Sequence, residues 1–433
     1  MQQDWREHYH SKIVSAEKAV QSVQSGDAVW FHCACSEPSA LVRALVNRAP
    51  ELKDVQIYHM TSLGEAEYTK AEYQGHFRHK SLFCYGATRK AVNENRADFI
   101  PVRYSDVPRL ITDGVLPIDA VFLMVSPPDQ DGWCSFGLTA DYAKAAAETA
   151  KTVIVQVNRN MPHTGGEKLH LDHVTWIVEE DEPLFQLPRP KVGEIERTIA
   201  GNVARLISDG ATLQLGIGAI PDTVLSALTN RKGLGIHSEM FSDGVVDLYE
   251  SGAITNENKG IDRGKFVATF LMGTQRLFNF VDHNPAVEMR AVDYVNDPWV
   301  IGQNPNMVSV NSALQIDLTG QINAETIGPK HFSGIGGQVD FIEGSWRSKG
   351  GRSVIALPAT AAGGKVSRIV NVLSPGAAVT TSRGIADYIV TEYGIAEMKG
   401  KSLSERAHAL IAIAHPDFRE TLLREAEEIG RYL

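Results

Sequence analysis

The chain has 433 residues, of which 43% are hydrophobic and 22% charged, a globular balance that excludes a disordered or fibrous protein and leaves room for two or three domains. Lys and Arg number 42 against 52 Asp and Glu, a formal net charge of −10, so phosphate-backbone binding is excluded as a main function and no nucleic-acid partner is expected. Apolar runs such as Val121–Val125 are far shorter than the ~20 residues of a membrane span, and Met1–Glu7 is polar where a secretory segment needs an apolar run; the expectation is a cytoplasmic protein with no membrane partner.

From the N-terminus, Ala19, Val20 and Val23 lie on one helical face ahead of Ser25-Gly26-Asp27 and the apolar run Ala28–Phe31. A small-residue turn holding Cys33 and Cys35 leads into Pro38–Leu45, a helical pattern. The four cysteines, Cys33, Cys35, Cys84 and Cys134, have neither zinc-knuckle nor thioredoxin spacing and are expected as reduced, buried thiols. Strands are predicted at Asp54–Tyr58, Ala120–Val125, Thr152–Val157 and Arg352–Leu357, alternating with amphipathic segments. That alternation predicts an α/β fold with largely parallel sheets. The acidic, Pro-bearing stretch from Glu179 through Pro190 has no period and reads as a linker, which divides the chain into domains 1–190 and 191–433.

The second domain repeats the start of the first. Val203, Ala204 and Ile207 precede Asp209-Gly210-Ala211 and Thr212–Leu215, and a helix pattern follows at Pro221–Leu228. Gly26 aligns with Gly210 at an offset of 184 and Pro38 with Pro221 at 183, so one gap relates two similar α/β domains. Between Leu215 and Asp222, Gly216-Ile217-Gly218-Ala219-Ile220 permits close backbone approach to a ligand, with Pro221 suited to the first helical position and free N–H groups open to a polar or anionic group. Pro221 stands where the dinucleotide fingerprint needs its third glycine, and Gly364-Lys365 is followed by Val366 where a P-loop needs Ser or Thr.

Leu234–Met240 reads as a strand entering the turn Ser242-Asp243-Gly244, which puts Glu239 at a strand's carboxyl end, where open α/β sheets bind ligands. A carboxylate there serves as nucleophile, base or metal ligand, or simply caps the turn. Ser333-Gly334-Ile335-Gly336-Gly337 aims several N–H groups at one oxygen, as an oxyanion hole requires, or forms a plain loop. Gly363-Gly364-Lys365 offers a cation among small residues. No metal is expected, because the pairs His8/His10, His76/His79 and His170/His173 lack both the H-E-x-x-H pattern and a third acidic ligand. The G-x-S-x-G of serine hydrolases is also missing. Near the C-terminus Ser402 and Glu405 form a capping box, and Pro416 starts a final helix.

Taken in order, Val125–Asp129, Gly216–Asp222, His237–Met240 with Ser242–Gly244, Phe270–Thr274, Gly334–Phe341, Gly363–Lys365, Val390–Ala396 and Ile411–Phe418 resemble the acetyl-CoA hydrolase/transferase family over nearly the whole chain. The resemblance implies two CoA-transferase-like α/β domains with the active site between them, assembled as a homodimer. It implies that Glu239 attacks an acyl-CoA thioester and becomes a glutamyl-CoA thioester, with Gly337 N–H as oxyanion donor. Gly216, Ile217, Gly218, Ala219, Ile220, Ser333, Gly337 and Lys365 then bind CoA, and Asn296 and Glu392 lie near the acyl or carboxylate end. CoA is a substrate and no cofactor is tightly bound. The implied partners are acyl-CoA and short-chain carboxylates, with CoA moving between 4-hydroxybutyryl-CoA or butyryl-CoA and acetate; acyl-CoA hydrolysis on the same scaffold is the alternative. Acyl choice is expected near Cys33–Ser36 and His59–Ser62.

Overall fold

In the computed structural model, which describes residues 5–428, the chain forms two compact units, 1–187 with 267–295 and 188–266 with 296–433. The four residues at the very N-terminus, part of the stretch read as lacking a secretory run, lie outside the described residues.

In the first unit seven strands lie in the order Trp176–Glu179, Thr152–Val157, Ala120–Val125, Ala28–Phe31, Val55–His59, Phe77–Ser81, Ala97–Phe99. Every neighbouring pair is parallel. Such a sheet is covered on both faces, and Ala120–Val125 is accordingly apolar and buried at all six positions. Val29, Phe31, Leu41, Leu45, Ile57, Phe122 and Ile154 share one core. All four cysteines are buried and free.

The second unit carries a six-stranded sheet in the order Gly235–Ile236, Thr212–Leu215, Met307–Asn311, Arg352–Ala356, Tyr388–Thr391, Gly394–Glu397. Its pairs are parallel except the last, an antiparallel hairpin. Ile342, Ile355, Leu357, Ile389, Leu410 and Leu422 pack together on it. Ser402 caps Leu403–Ile413 with Glu405 in a reciprocal box, and Pro416 opens Pro416–Glu428 as expected.

The repeat is visible element by element. Gly26 (φ 87°) and Gly210 (φ 75°) both take left-handed turns that a side chain would strain. Each is followed by a parallel strand, Ala28–Phe31 or Thr212–Leu215, and then by a helix, Ser39–Asn47 or Ala219–Ser226. The second helix starts two residues earlier than its proline suggests. Pro221 is its third residue, still within the first turn, where the missing N–H has no intrahelical partner to lose.

A single cut near residue 190 does not describe the chain. Residues 180–193 carry no regular structure, as a linker should, but Val267–Val295 returns to the first unit. Val287–Met289 pairs there in parallel with Gly165–Gly166. No helix among the described residues is long and apolar enough to cross a membrane.

Candidate active site

Glu239 lies within the second unit beside the edge strand Gly235–Ile236. The strand expected over Leu234–Met240 is broken. His237 keeps one ladder bond, its N–H donating to the Leu213 carbonyl at 3.2 Å, whereas Ser238 and Glu239 leave the ladder before pairing resumes at Met240–Phe241. Ser238 explains the break, because its Oγ replaces ladder contacts, accepting the Leu215 N–H at 3.3 Å and donating to the Met240 carbonyl at 2.5 Å. This irregular step brings out the Glu239 side chain.

Two donors meet the carboxylate. Asn296 Nδ2 donates to Oε2 at 2.7 Å, and the Gly337 N–H donates to the same carboxyl group. Gly337 stands immediately before the helix Gln338–Arg347, so the carboxylate faces the positive end of a ten-residue helix. A side chain at 337 would push the site apart, since a Cβ would overlap Glu239 Oε2 and the Asn296 amide nitrogen. Asn296 is wholly buried and its Oδ1 has no hydrogen-bond partner, an unmet acceptor of the kind that clusters at functional sites.

Burial dominates the electrostatics. Desolvation pushes the Glu239 carboxyl from 4.5 up to about 7. The Asn296 hydrogen bond opposes the rise, the charge of Asp340 adds to it, and the Gly337 N–H opposes it again. Glu239 is therefore a carboxylate that ionises near neutrality with two fixed donors on its oxygens. That arrangement suits a nucleophile whose own carbonyl later carries negative charge.

The sequence carries a match to the acetyl-CoA hydrolase/transferase N-terminal domain over residues 1–187 and to the C-terminal domain over residues 273–426. The chain belongs to the acetyl-CoA hydrolase/transferase family. It is 54% identical to 4-hydroxybutyrate coenzyme A transferase of Clostridium kluyveri over 98% of this chain and 99% of that one. It is 38% identical to butyryl-CoA:acetate CoA-transferase of Anaerostipes caccae over 98% of both. The crystal structure of 4-hydroxybutyrate CoA-transferase from Porphyromonas gingivalis superposes with a TM-score of 0.85 at 40% identity, covering 98% of this chain and 100% of that one.

Of the residues singled out in this family member, the structure brings Glu239, Asn296 and Gly337 into contact and holds the others in nearby or separate loops of the same unit. Gly216 to Ile220 follow the strand that Ser238 clasps, with Gly218 at φ 121° immediately before the helix. Ser333 is tied to its own loop, donating from Oγ to the Ala324 carbonyl at 3.1 Å. Lys365 is exposed on the hairpin Thr360–Ala361/Val366–Ser367, behind Gly363 and Gly364 in left-handed conformations. Glu392 is committed on one oxygen to the Ala359 N–H at 2.9 Å and makes no bond to Glu239.

Asp340 and Lys259 were given no role from the sequence. Asp340 is buried in the first turn of the helix that faces Glu239, and it lies inside the quoted Gly334–Phe341 stretch, which is the signal that marks it. Lys259 sits in Asn256-Glu257-Asn258-Lys259-Gly260, which has the composition of a surface turn; nothing in that string announces that its lysine is 0% exposed. Among the described residues no three His, Cys, Asp or Glu side chains converge as a metal site.

Proposed function

We propose that this CoA-transferase moves CoA between a short-chain acyl-CoA, 4-hydroxybutyryl-CoA or butyryl-CoA, and acetate, by a ping-pong route through a thioester on Glu239. The observation that carries the reading is a half-buried, desolvated carboxylate pushed up to about 7, with Asn296 Nδ2 at 2.7 Å and the Gly337 N–H donating to it, in a chain so similar to transferases named for these acyl groups.

The chemistry follows from those contacts. A Glu239 oxygen attacks the thioester carbonyl carbon, the C–S bond breaks, and CoA leaves as thiolate with an acyl-glutamyl anhydride in place. The thiolate attacks the glutamyl carbonyl carbon, the anhydride C–O bond breaks, and the first carboxylate departs. Acetate then repeats the two steps in reverse on the glutamyl-CoA thioester. No step needs ATP, because the anhydride and thioester both keep the acyl group activated. In the attacks on the glutamyl carbonyl, negative charge forms on a carboxyl group to which Asn296 and the Gly337 N–H already donate. Losing one such donor typically costs ~10²–10³ in rate.

CoA is a substrate in this scheme and no resident cofactor takes part. Gly216 to Ile220, Ser333 and Lys365 are assigned to CoA, the exposed Lys365 ammonium suiting its phosphates, and Glu392 to the acyl or carboxylate end. Family resemblance supports a homodimer acting in the cytoplasm. Acetyl-CoA alone should add the mass of a CoA thioester to the protein at Glu239, and exchange into a second carboxylate should vanish in Glu239→Ala and Glu239→Gln. Exchange near the native rate in either variant overturns the assignment. Rapid thiol release without any acceptor acid would instead identify a hydrolase.

A further inference from the structure

We propose that Lys259, together with Asn256, is a positioning residue for Glu239, clamping Ile236 in the edge strand that leads to the nucleophile. The inference deepens the thioester reading and rests on it.

Fully buried lysines are rare unless paired with a carboxylate. Lys259 is 0% exposed, and the described hydrogen bonds of its ammonium go to two backbone carbonyls, Ile236 at 2.9 Å and Lys265 at 2.7 Å. Asp262 attracts it only through its charge, and burial brings the amine down to about 7. A carbonyl needing a donor is met at far smaller desolvation cost by a neutral group or by water, so the placement of a lysine here calls for a specific reason.

Ile236 supplies the reason. It is the last residue of Gly235–Ile236, an edge strand that pairs on one side with Thr212–Leu215. On the open side, Asn256 Oδ1 accepts the Ile236 N–H at 2.8 Å and Lys259 Nζ donates to the Ile236 carbonyl. Both backbone groups of one residue are thus fixed by side chains of one loop. Asn256 is itself buried and holds a left-handed conformation (φ 60°), which asparagine tolerates better than most residues. The lysine stem lies flat on the strand, because a Cβ on Gly235 would meet Lys259 Cγ at 2.6 Å.

Two residues, His237 and Ser238, lie between Ile236 and Glu239, and the three steps span at most about 10 Å of chain. On the far side of that span Ser238 Oγ is fastened to Leu215 and Met240. Glu239 must meet Asn296 and Gly337, which enter from other parts of the sequence. A shift of about 1 Å in such a constellation costs on the order of 10²-fold in rate. The clamp at Ile236 holds the near end of the segment while Ser238 holds the end next to the carboxylate.

The test uses the full-length protein with Lys259→Met, which keeps the stem and removes the amine, and Asn256→Gly, which keeps the backbone conformation and removes the acceptor. Each is expected to lower kcat about tenfold or more with KM for acetyl-CoA changed less than about twofold, and to slow formation of the Glu239 thioester in a quenched mass time course by the same factor. A structural role alone would lower the melting temperature and leave both rates per folded molecule intact; that result overturns the proposal. If Lys259→Met does not fold, Asn256→Gly decides, since it leaves the buried lysine in place. Native protein that forms no thioester refutes the thioester reading itself, whereas native labelling with undiminished labelling in the variants refutes only the clamp.

Discussion

Replacing Glu239 by glutamine should make the protein more stable, and by an amount that depends on pH. The carboxyl goes from 4.5 to about 7 on folding, mainly by desolvation. At 1.36 kcal/mol per unit this is about 3 kcal/mol. The folded state binds the proton more tightly, so below pH 4.5 both states are protonated and the neutral acid carries no penalty. Between 4.5 and 7 the unfolded chain ionises first and stability falls, and above 7 the whole cost is present. Glutamine is neutral throughout and can still accept from Asn296, so the difference between variant and native protein grows from pH 5 to pH 8 by up to about 3 kcal/mol. In thermal melts that is on the order of 5–10 °C for a unit of this size. Any packing defect introduced by the amide adds the same offset at every pH and cancels in the comparison. Melting both proteins at pH 5, 6.5 and 8 measures it. A gap that stays constant across that range, or that narrows toward pH 8, refutes the account of a desolvated carboxylate.

The first unit should respond in the opposite sense. His59 and His79 are fully buried and burial pulls them down to about 3 and about 4, with His79 further depressing His59. Their neutral forms therefore lend stability above pH 6.5 that is lost as pH falls toward 4, about 3–5 kcal/mol for either alone; His79→Gln should flatten the urea-midpoint profile between pH 6.5 and 4, and an unchanged slope would show that the loss arises elsewhere. Gly337→Ala should cut exchange at least 10²-fold, because its methyl displaces the Glu239 carboxylate and the Asn296 amide, and a crystal or spectroscopic check should find the fold kept; native-like exchange contradicts the packing around Glu239. Asp340→Asn removes a charge that raises Glu239, so the pH profile of thioester formation, which should rise through about 7 in the native protein, is expected to move to lower pH. A profile that stays in place or moves up argues against that coupling.

Much of the fold was legible because local signals and tertiary packing agree. Ala120–Val125 and Thr152–Val157 are found over the predicted residues, since a fully covered parallel strand must be apolar on both faces and therefore shows as an unbroken run. Ser402 and Glu405 were readable because a cap is satisfied within one turn. The failures are those of long-range structure. Val267–Val295 has no compositional break, and its return to the first unit depends on pairing with Gly165–Gly166, some 120 residues earlier. Leu234–Met240 looked continuous because hydrophobic alternation does not register a serine whose hydroxyl replaces the ladder.

The site divides along the same line. Glu239 was visible as a carboxylate at a strand end, but its hydrogen bonds come from Asn296, 57 residues on, and from Gly337 further still, and no spacing rule links the three. Family resemblance supplied what periodicity could not. Lys259 lay beyond both, since its burial is decided by a bare glycine at 235 and by the two carbonyls its ammonium reaches. The same physics unites the two desolvated ionisable groups. Desolvation drives Glu239 and Lys259 toward 7 from opposite directions, so near neutral pH each sits where its charged and neutral forms are close in free energy and a lost hydrogen bond shifts the balance between them. If Glu239 is the nucleophile proposed above, its backbone has to be fixed, because Asn296 and Gly337 offset the desolvation penalty only while the carboxylate stays within hydrogen-bonding distance of both.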